Sequence, residues 1–145
     1  MARSGQNARI NHTEEWITRM PDAAELLHMN LHVFSERDPE KRRVAIERTY
    51  VEDVRFVDPD GESVGREALN DRAQKILDDA PGDFVLEEDG LAYVSTDTAV
   101  QPWRFGPPGS PAVRGIDILT VRDGSVSVVR TLIGFRRDAS PSELT

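Results

Sequence analysis

The chain reads as an α+β domain, helices first and a mostly antiparallel sheet after them. Three observations carry that expectation. Apolar residues recur at helical spacing up to Asp79, and from Phe84 to Phe135 the period changes to two. Asp89-Gly90, the loop from Gly106 to Pro111, and Asp123-Gly124 punctuate the alternating part as turns between strands. Helices followed by runs of strands pack as segregated layers. A chain of 145 residues is long enough to bury a core or a ligand cavity in a single domain.

Taken in order, residues 1–10 are polar and are expected to be a flexible N-terminus. Asn11 with Glu14 forms a capping-box pattern that opens a short helix through Trp16, Ile17 and Met20, which Pro21 closes. Asp22 caps a second helix. Ala23, Leu27, Leu31 and Phe34 make its apolar stripe, flanked by Leu26 and Val33, and Asn30 falls inside that stripe. A buried amide there needs partners, because leaving one unpaired costs about 1–3 kcal/mol. His28 and His32 lie on the opposite side, where a solvated or subunit-contact face is expected and no metal is required. Asp38-Pro39 starts a third, peripheral helix running to about residue 49.

The centre of the chain is the stretch 50–69. It holds a short strand (Val54, Phe56, Val57), Asp58 at its end, a Pro-Asp-Gly turn, and Gly65 before a helix over 66–79. Pro59 keeps Asp58 extended. Leu69, Ala73, Ile76 and Leu77 form the apolar face of that helix, and Pro81-Gly82 ends it. Strands are expected near 84–88 with 91–94, then over 98–105, 112–122 and 125–134, and residues 136–145 form a polar tail.

Asp123-Gly124 between apolar strands predicts a two-residue type I′ hairpin. In that register Arg122 faces Ser125, Val121 faces Val126, Leu119 faces Val128 and Asp117 faces Arg130, with Ile116, Ile118 and Val129 on the other side. Asp117 and Arg130 then form a polar island on an apolar surface, either a structural cross-strand ion pair or part of a site. Trp103 and Phe105 share one side of their strand and Arg104 the other. Tyr50 ends the basic helix with a hydroxyl able to enter a pocket.

Composition narrows the function. With 18 basic against 26 acidic residues the net charge is −8, which disfavours nucleic acid and anionic membranes as partners. The absence of Cys removes disulfides, thiol catalysis and thiolate zinc sites. No apolar h-region or membrane-length run is present, so a cytoplasmic protein is expected.

An Asp-Pro at a strand end (Val57-Asp58-Pro59), a Gly-Arg-Glu-Ala helix start at Gly65, and a late strand reading Gly-Ile-Asp-Ile-Leu-Thr-Val before a hairpin together resemble the NTF2-like superfamily, in its SnoaL-like and ketosteroid-isomerase-like branches. The resemblance covers about residues 22–135, within a single domain expected over 11–135. It implies a cone: helices packed in a strongly curved mixed sheet around a pocket, commonly as a homodimer. It further implies a cofactor-independent cyclase or isomerase acting on a hydrophobic, oxygenated small molecule, such as a polyketide intermediate of antibiotic biosynthesis. Asp58 would shuttle the proton. Asp117 with Arg130 would stabilise the oxyanion, and Asn30, Tyr50, Trp103, Phe34 and Leu119 would contact substrate. Asn30 stands where the isomerases use Tyr, and Arg130 would hold Asp117 ionised. Both departures lower the expectation of ketosteroid isomerase activity. Epoxide hydrolysis is the alternative reaction, and a non-catalytic binding or assembly module is the alternative of another class.

Overall fold

Local signals set the helices, and the computed structural model describes residues 22–136. The capping box at Asn11 and the helix through Trp16 lie outside the described residues. Helix α1 spans 22–35 and buries Leu26, Leu27, Asn30, Leu31, Val33 and Phe34, the stripe expected of it. Helix α2, Pro39–Thr49, begins where Asp38 Oδ1 accepts the N–H groups of Glu40 and Lys41. It is less peripheral than its basic composition suggests, because Arg42 is fully buried. The Arg42 guanidinium donates to Asn70 Oδ1 at 2.7 Å, to the Glu36 carbonyl at 2.8 Å and to Gln74, and burial lowers its pKa. Helix α3, Arg66–Asp79, follows Gly65, whose φ of 97° suits a residue without a Cβ.

The strands are β1 (Tyr50–Asp58), β2 (Gly61–Val64), β3 (Val85–Glu88), β4 (Tyr93–Val94), β5 (Thr98–Gly106), β6 (Val113–Arg122) and β7 (Ser125–Ile133). They form one mixed sheet in the order β2-β1-β7-β6-β5-β3, with β4 paired to β5. Only β1 and β7 run parallel. β2, a polar hairpin partner of β1, is an edge strand that follows the Pro-Asp-Gly turn and is not expected from the sequence.

The expected cone is not what forms. The sheet is open, with β2 at one end and β3 at the other, and no pairing joins the two ends. Those end strands have only four residues each. Closure also needs bulges repeated around the sheet, whereas register shifts occur here at two places, one in the β1–β7 pair and one in the β6–β7 pair. The core lies between the helices and one face of this open sheet. Leu27, Val33, Ile46, Leu69 and Ala73 pack there against Val54, Ala99, Leu119, Val126 and Val129.

The second register shift changes the site. Asp123 and Gly124 have φ of 54° and 78°, as a type I′ turn requires, and Arg122 pairs with Ser125 and Val121 with Val126. Then β7 carries one extra residue. Ser127 is bulged, its hydroxyl donating to the Thr120 carbonyl at 3.2 Å, and Thr120 pairs with Val128. Beyond the bulge Leu119 pairs with Val129, Ile118 with Arg130 and Asp117 with Thr131. A shift of one residue exchanges the two faces. Val129 therefore enters the core, and Arg130 emerges on the outer face beside Ile118.

Candidate functional site

Asp117 lies on the inner face of β6, in register with Gln101 of β5 and Thr131 of β7. It is 5% exposed. Its Oδ1 accepts the Trp103 indole N–H at 2.9 Å and the Thr131 hydroxyl at 2.8 Å, and its Oδ2 accepts the Asn30 amide at 2.8 Å. All three donors are neutral. Burial pushes the Asp117 pKa up, and the bonds from Thr131, Trp103 and Asn30 oppose that rise in part.

Behind Asn30 stands Tyr50. Its hydroxyl donates to Asn30 Oδ1 at 2.6 Å, which leaves the Asn30 NH₂ group to face Asp117. Both residues are 1% exposed. Burial, reinforced by the Asp117 charge, holds the Tyr50 pKa well above the ordinary phenol value. The amide inside the α1 stripe is thus satisfied at both ends, by residues from β1 and β6.

Trp103 reaches Asp117 because its cross-strand partner on β6 is Gly115. A Cβ at Gly115 would fall on the indole ring and 2.5 Å from the Leu132 carbonyl oxygen. The missing side chain is the space the ring occupies.

Asp58 closes β1 and makes a different environment. Its Oδ1 accepts the N–H groups of Asp60 at 2.9 Å and Gly61 at 3.1 Å, an Asx-turn that fixes the carboxylate. Its Oδ2 receives Nε of Arg72 at 2.8 Å and lies 2.6 Å from Nη2. The Asp58 side chain is 8% exposed. Arg72 Nη2 also donates to Asp60 Oδ2 at 2.9 Å. Burial alone would lower the Arg72 pKa, but the bonds and charges of Asp58 and Asp60 outweigh it and the guanidinium is held above its ordinary value. Arg72 sits at the border of the α3 apolar stripe, four residues before Ile76 and three after Leu69.

Both carboxylates open on one cavity of about 410 Å³. Its apolar wall is Phe34, Phe56, Ile76, Leu86, Trp103 and Ile133, with the Phe34 and Phe56 rings stacked at 5.1 Å. Its polar groups are Asp58, Asp60, Arg72, Asp117 and Thr131. Of the residues singled out from sequence, Asp58, Asp117, Trp103 and Phe34 line the cavity. Asn30 and Tyr50 stand behind it and reach it through Asp117. Leu119 packs into the core, and Arg130 is exposed on the other face, so the expected Asp117–Arg130 pair does not form. The guanidinium of the site is Arg72, and its partner is Asp58.

Sequence reasoning missed the polar cavity residues Asp60, Arg72 and Thr131, and Phe56, Ile76, Leu86 and Ile133 of the apolar wall. A signal existed for Arg72 in its helical spacing from Leu69 and Ile76. Thr131 reaches the inner face only through the bulge at Ser127. His28 and His32 are exposed and lie near Glu88 and Glu36, at 3.5 and 4.0 Å. Among the described residues no group of three His or carboxylate side chains gathers to hold a metal ion, and no helix is long and apolar enough to cross a membrane.

The sequence profile described as "SnoaL-like domain" matches residues 27–129. Among solved structures, the chain is similar to a protein from Agrobacterium tumefaciens provisionally called an isomerase of the SnoaL-like family. That match has a TM-score of 0.74 and 19% identity over 79% of this chain and 99% of the other. It is also similar to a provisionally assigned polyketide cyclase from Sinorhizobium meliloti, at TM-score 0.60 and 21% identity over 74% and 93% of the two chains. A third is TsrD from Streptomyces laurentii, at TM-score 0.60 and 21% identity over 78% and 88%. These likenesses establish a shared fold. A search among curated proteins finds no match.

Proposed function

The chain belongs to the SnoaL-like domain family, and from that premise we propose that it is a cofactor-independent isomerase or cyclase of a hydrophobic, oxygenated small molecule, with Asp117 as the group that carries the proton. The observation behind this reading is that two nearly buried carboxylates in opposite electrostatic settings open on one apolar cavity. Pairs of titratable groups whose environments differ are how a single site divides acid and base roles.

Asp58 Oδ1 accepts two backbone N–H groups and its Oδ2 accepts from the Arg72 guanidinium. With both oxygens so occupied, its work is to hold Arg72 at the cavity wall. Among the described residues Asp117 has no cationic partner, and its pKa is raised by burial. It is the carboxyl placed to give and recover a proton. The aromatic and aliphatic wall binds the body of the substrate, and a polyketide-type intermediate fits the family's SnoaL-like character.

The test is turnover of a panel of apolar oxygenated compounds, read by mass spectrometry as a product of unchanged mass or of mass reduced by one water. Asp117→Asn should slow any such turnover by at least about tenfold with the fold intact. Equal rates in the variant would reject Asp117 as the proton carrier.

One observation favours epoxide hydrolysis as a second reading. Arg72 is clamped between Asp58 and Asp60, an arrangement able to orient a water for attack. Incorporation of labelled water oxygen into product separates the two.

A further inference from the structure

The ionisable groups on the cavity wall are three carboxylates and one guanidinium. That guanidinium is already matched twice, by Asp58 and by Asp60. Its Nη1 makes no hydrogen bond among the described residues, but an anionic oxygen placed there would be the third anion around one cation. The remaining donors near the wall, from Asn30, Trp103 and Thr131, all point at Asp117. Among the described residues an enolate or other oxyanion therefore finds, apart from the Asp117 carboxyl itself, no preorganised set of donors, and oxyanion stabilisation depends on such a set. A cation finds the reverse. Phe34, Phe56 and Trp103 line the wall, and aromatic rings attract positive charge most strongly when water is excluded. Asp117 supplies a buried carboxyl whose partners among the described residues are all neutral.

We propose that the reaction in this cavity builds positive charge on the substrate, an electron-rich carbon–carbon double bond bearing oxygen, as in an enol or enol ether. The O–H bond of the Asp117 carboxylic acid breaks as a new C–H bond forms, giving an oxocarbenium ion paired with the Asp117 carboxylate. The ion rests against the aromatic wall. Loss of a neighbouring C–H proton back to Asp117 then shifts the double bond; alternatively a second double bond attacks the oxocarbenium carbon, which closes the ring and leaves a carbocation that loses a C–H proton to Asp117. Substrate and product have the same composition, and Asp117 ends protonated as it began. The proposal rests on the reading of the cavity as a small-molecule site, and it specifies the sign of the charge that the site is built to meet.

Three probes of one shape test it by titration calorimetry with the full chain near neutral pH. They are 1-naphthylmethylamine as the cation, 1-naphthalenemethanol as the neutral form and 1-naphthoic acid as the anion. The ammonium should bind at least tenfold tighter than the alcohol, and the carboxylate at least tenfold weaker. Asp117→Asn should remove the ammonium's advantage and leave the alcohol's affinity in place. Phe56→Leu should weaken the ammonium more than the alcohol. If Asp117→Asn does not fold, the series on the unaltered chain decides alone. Equal binding of amine and alcohol, or tightest binding of the carboxylate, overturns the proposal while leaving the small-molecule cavity standing. If none of the three binds, both fall.

Discussion

Asn30 Nδ2 lies 2.8 Å from Asp117 Oδ2, although the two residues are 87 positions apart. The bond joins α1 to β6, and the Tyr50 hydroxyl on the far side of the amide decides which end of Asn30 is presented. Tyr50→Phe removes that donor and leaves Asn30 Oδ1 buried and unpaired, a loss of about 1–3 kcal/mol. Chemical denaturation should show it. Any turnover should fall as well, because the amide is then free to turn its oxygen toward Asp117. Unchanged stability would mean that Asn30 has another partner.

Asp117 should also leave a signature in the pH dependence of stability. Its pKa is raised in the folded chain, so the native state binds more protons than the unfolded state between the ordinary carboxylate range and the raised value. Stability from this group is complete below the unfolded pKa and is lost as pH rises through the folded one. Denaturation midpoints measured from about pH 4 to about pH 8 should therefore decline with pH more in the native chain than in Asp117→Asn. Parallel curves would contradict the burial effect.

Arg72→Met tests the other carboxylate. It keeps the apolar stem and removes the guanidinium, which leaves Asp58 with its two backbone donors and no cation. Breaking a largely buried pair from one side costs about 3 kcal/mol at most for a site still open to water. Asp58→Asn with Arg72→Met should recover part of the loss in a double-mutant cycle. Strict additivity of the two changes would show the pair to be energetically idle.

Gly115→Ala should cost stability and site geometry together. The added methyl meets the Trp103 ring and the Leu132 carbonyl oxygen, and the latter is backbone that cannot step aside. Overpacking of this kind costs about 1–3 kcal/mol. A shift in Trp103 fluorescence should accompany the loss. A variant with native stability and spectrum would place the ring elsewhere.

Deleting Ser127 should be the most damaging single change. Without the extra residue the register after the hairpin moves by one, which turns Val129 out of the core and Arg130 in beside Asp117. Loss of a cooperative thermal transition is the expected result. A folded deletion variant would mean that β7 re-forms its bulge at another residue.

How far the sequence speaks depends on how local each signal is. Helix α3 was legible at both ends, because Gly65 before it and Pro81-Gly82 after it punctuate the chain. The hairpin turn was legible in Asp123-Gly124, as was the buried stripe of α1 with Asn30 inside it. The bulge was not. Ser127 sits among Val residues with nothing to mark it, and its effect on Asp117 emerges only when β6 and β7 are laid side by side. Arg42 was read as surface charge because its partners, Asn70 and Gln74, come from another helix. The end strand β3 was expected near 84–88, but β2 was not, and the pairing order that leaves the sheet open is a long-range relation with no local mark.

Tyr50 has a second bond that gives its position wider meaning. Its main-chain oxygen receives the Arg66 side chain at 2.8 Å, while its hydroxyl grips Asn30. Arg66 begins the helix that carries Arg72, and Asn30 belongs to the helix that touches Asp117. One tyrosine is thus the common fastening point for both polar corners of the hollow. The first turn of α3 and the amide that steadies the distant acid are bonded to the same residue, one link among those that set the spacing of the corners.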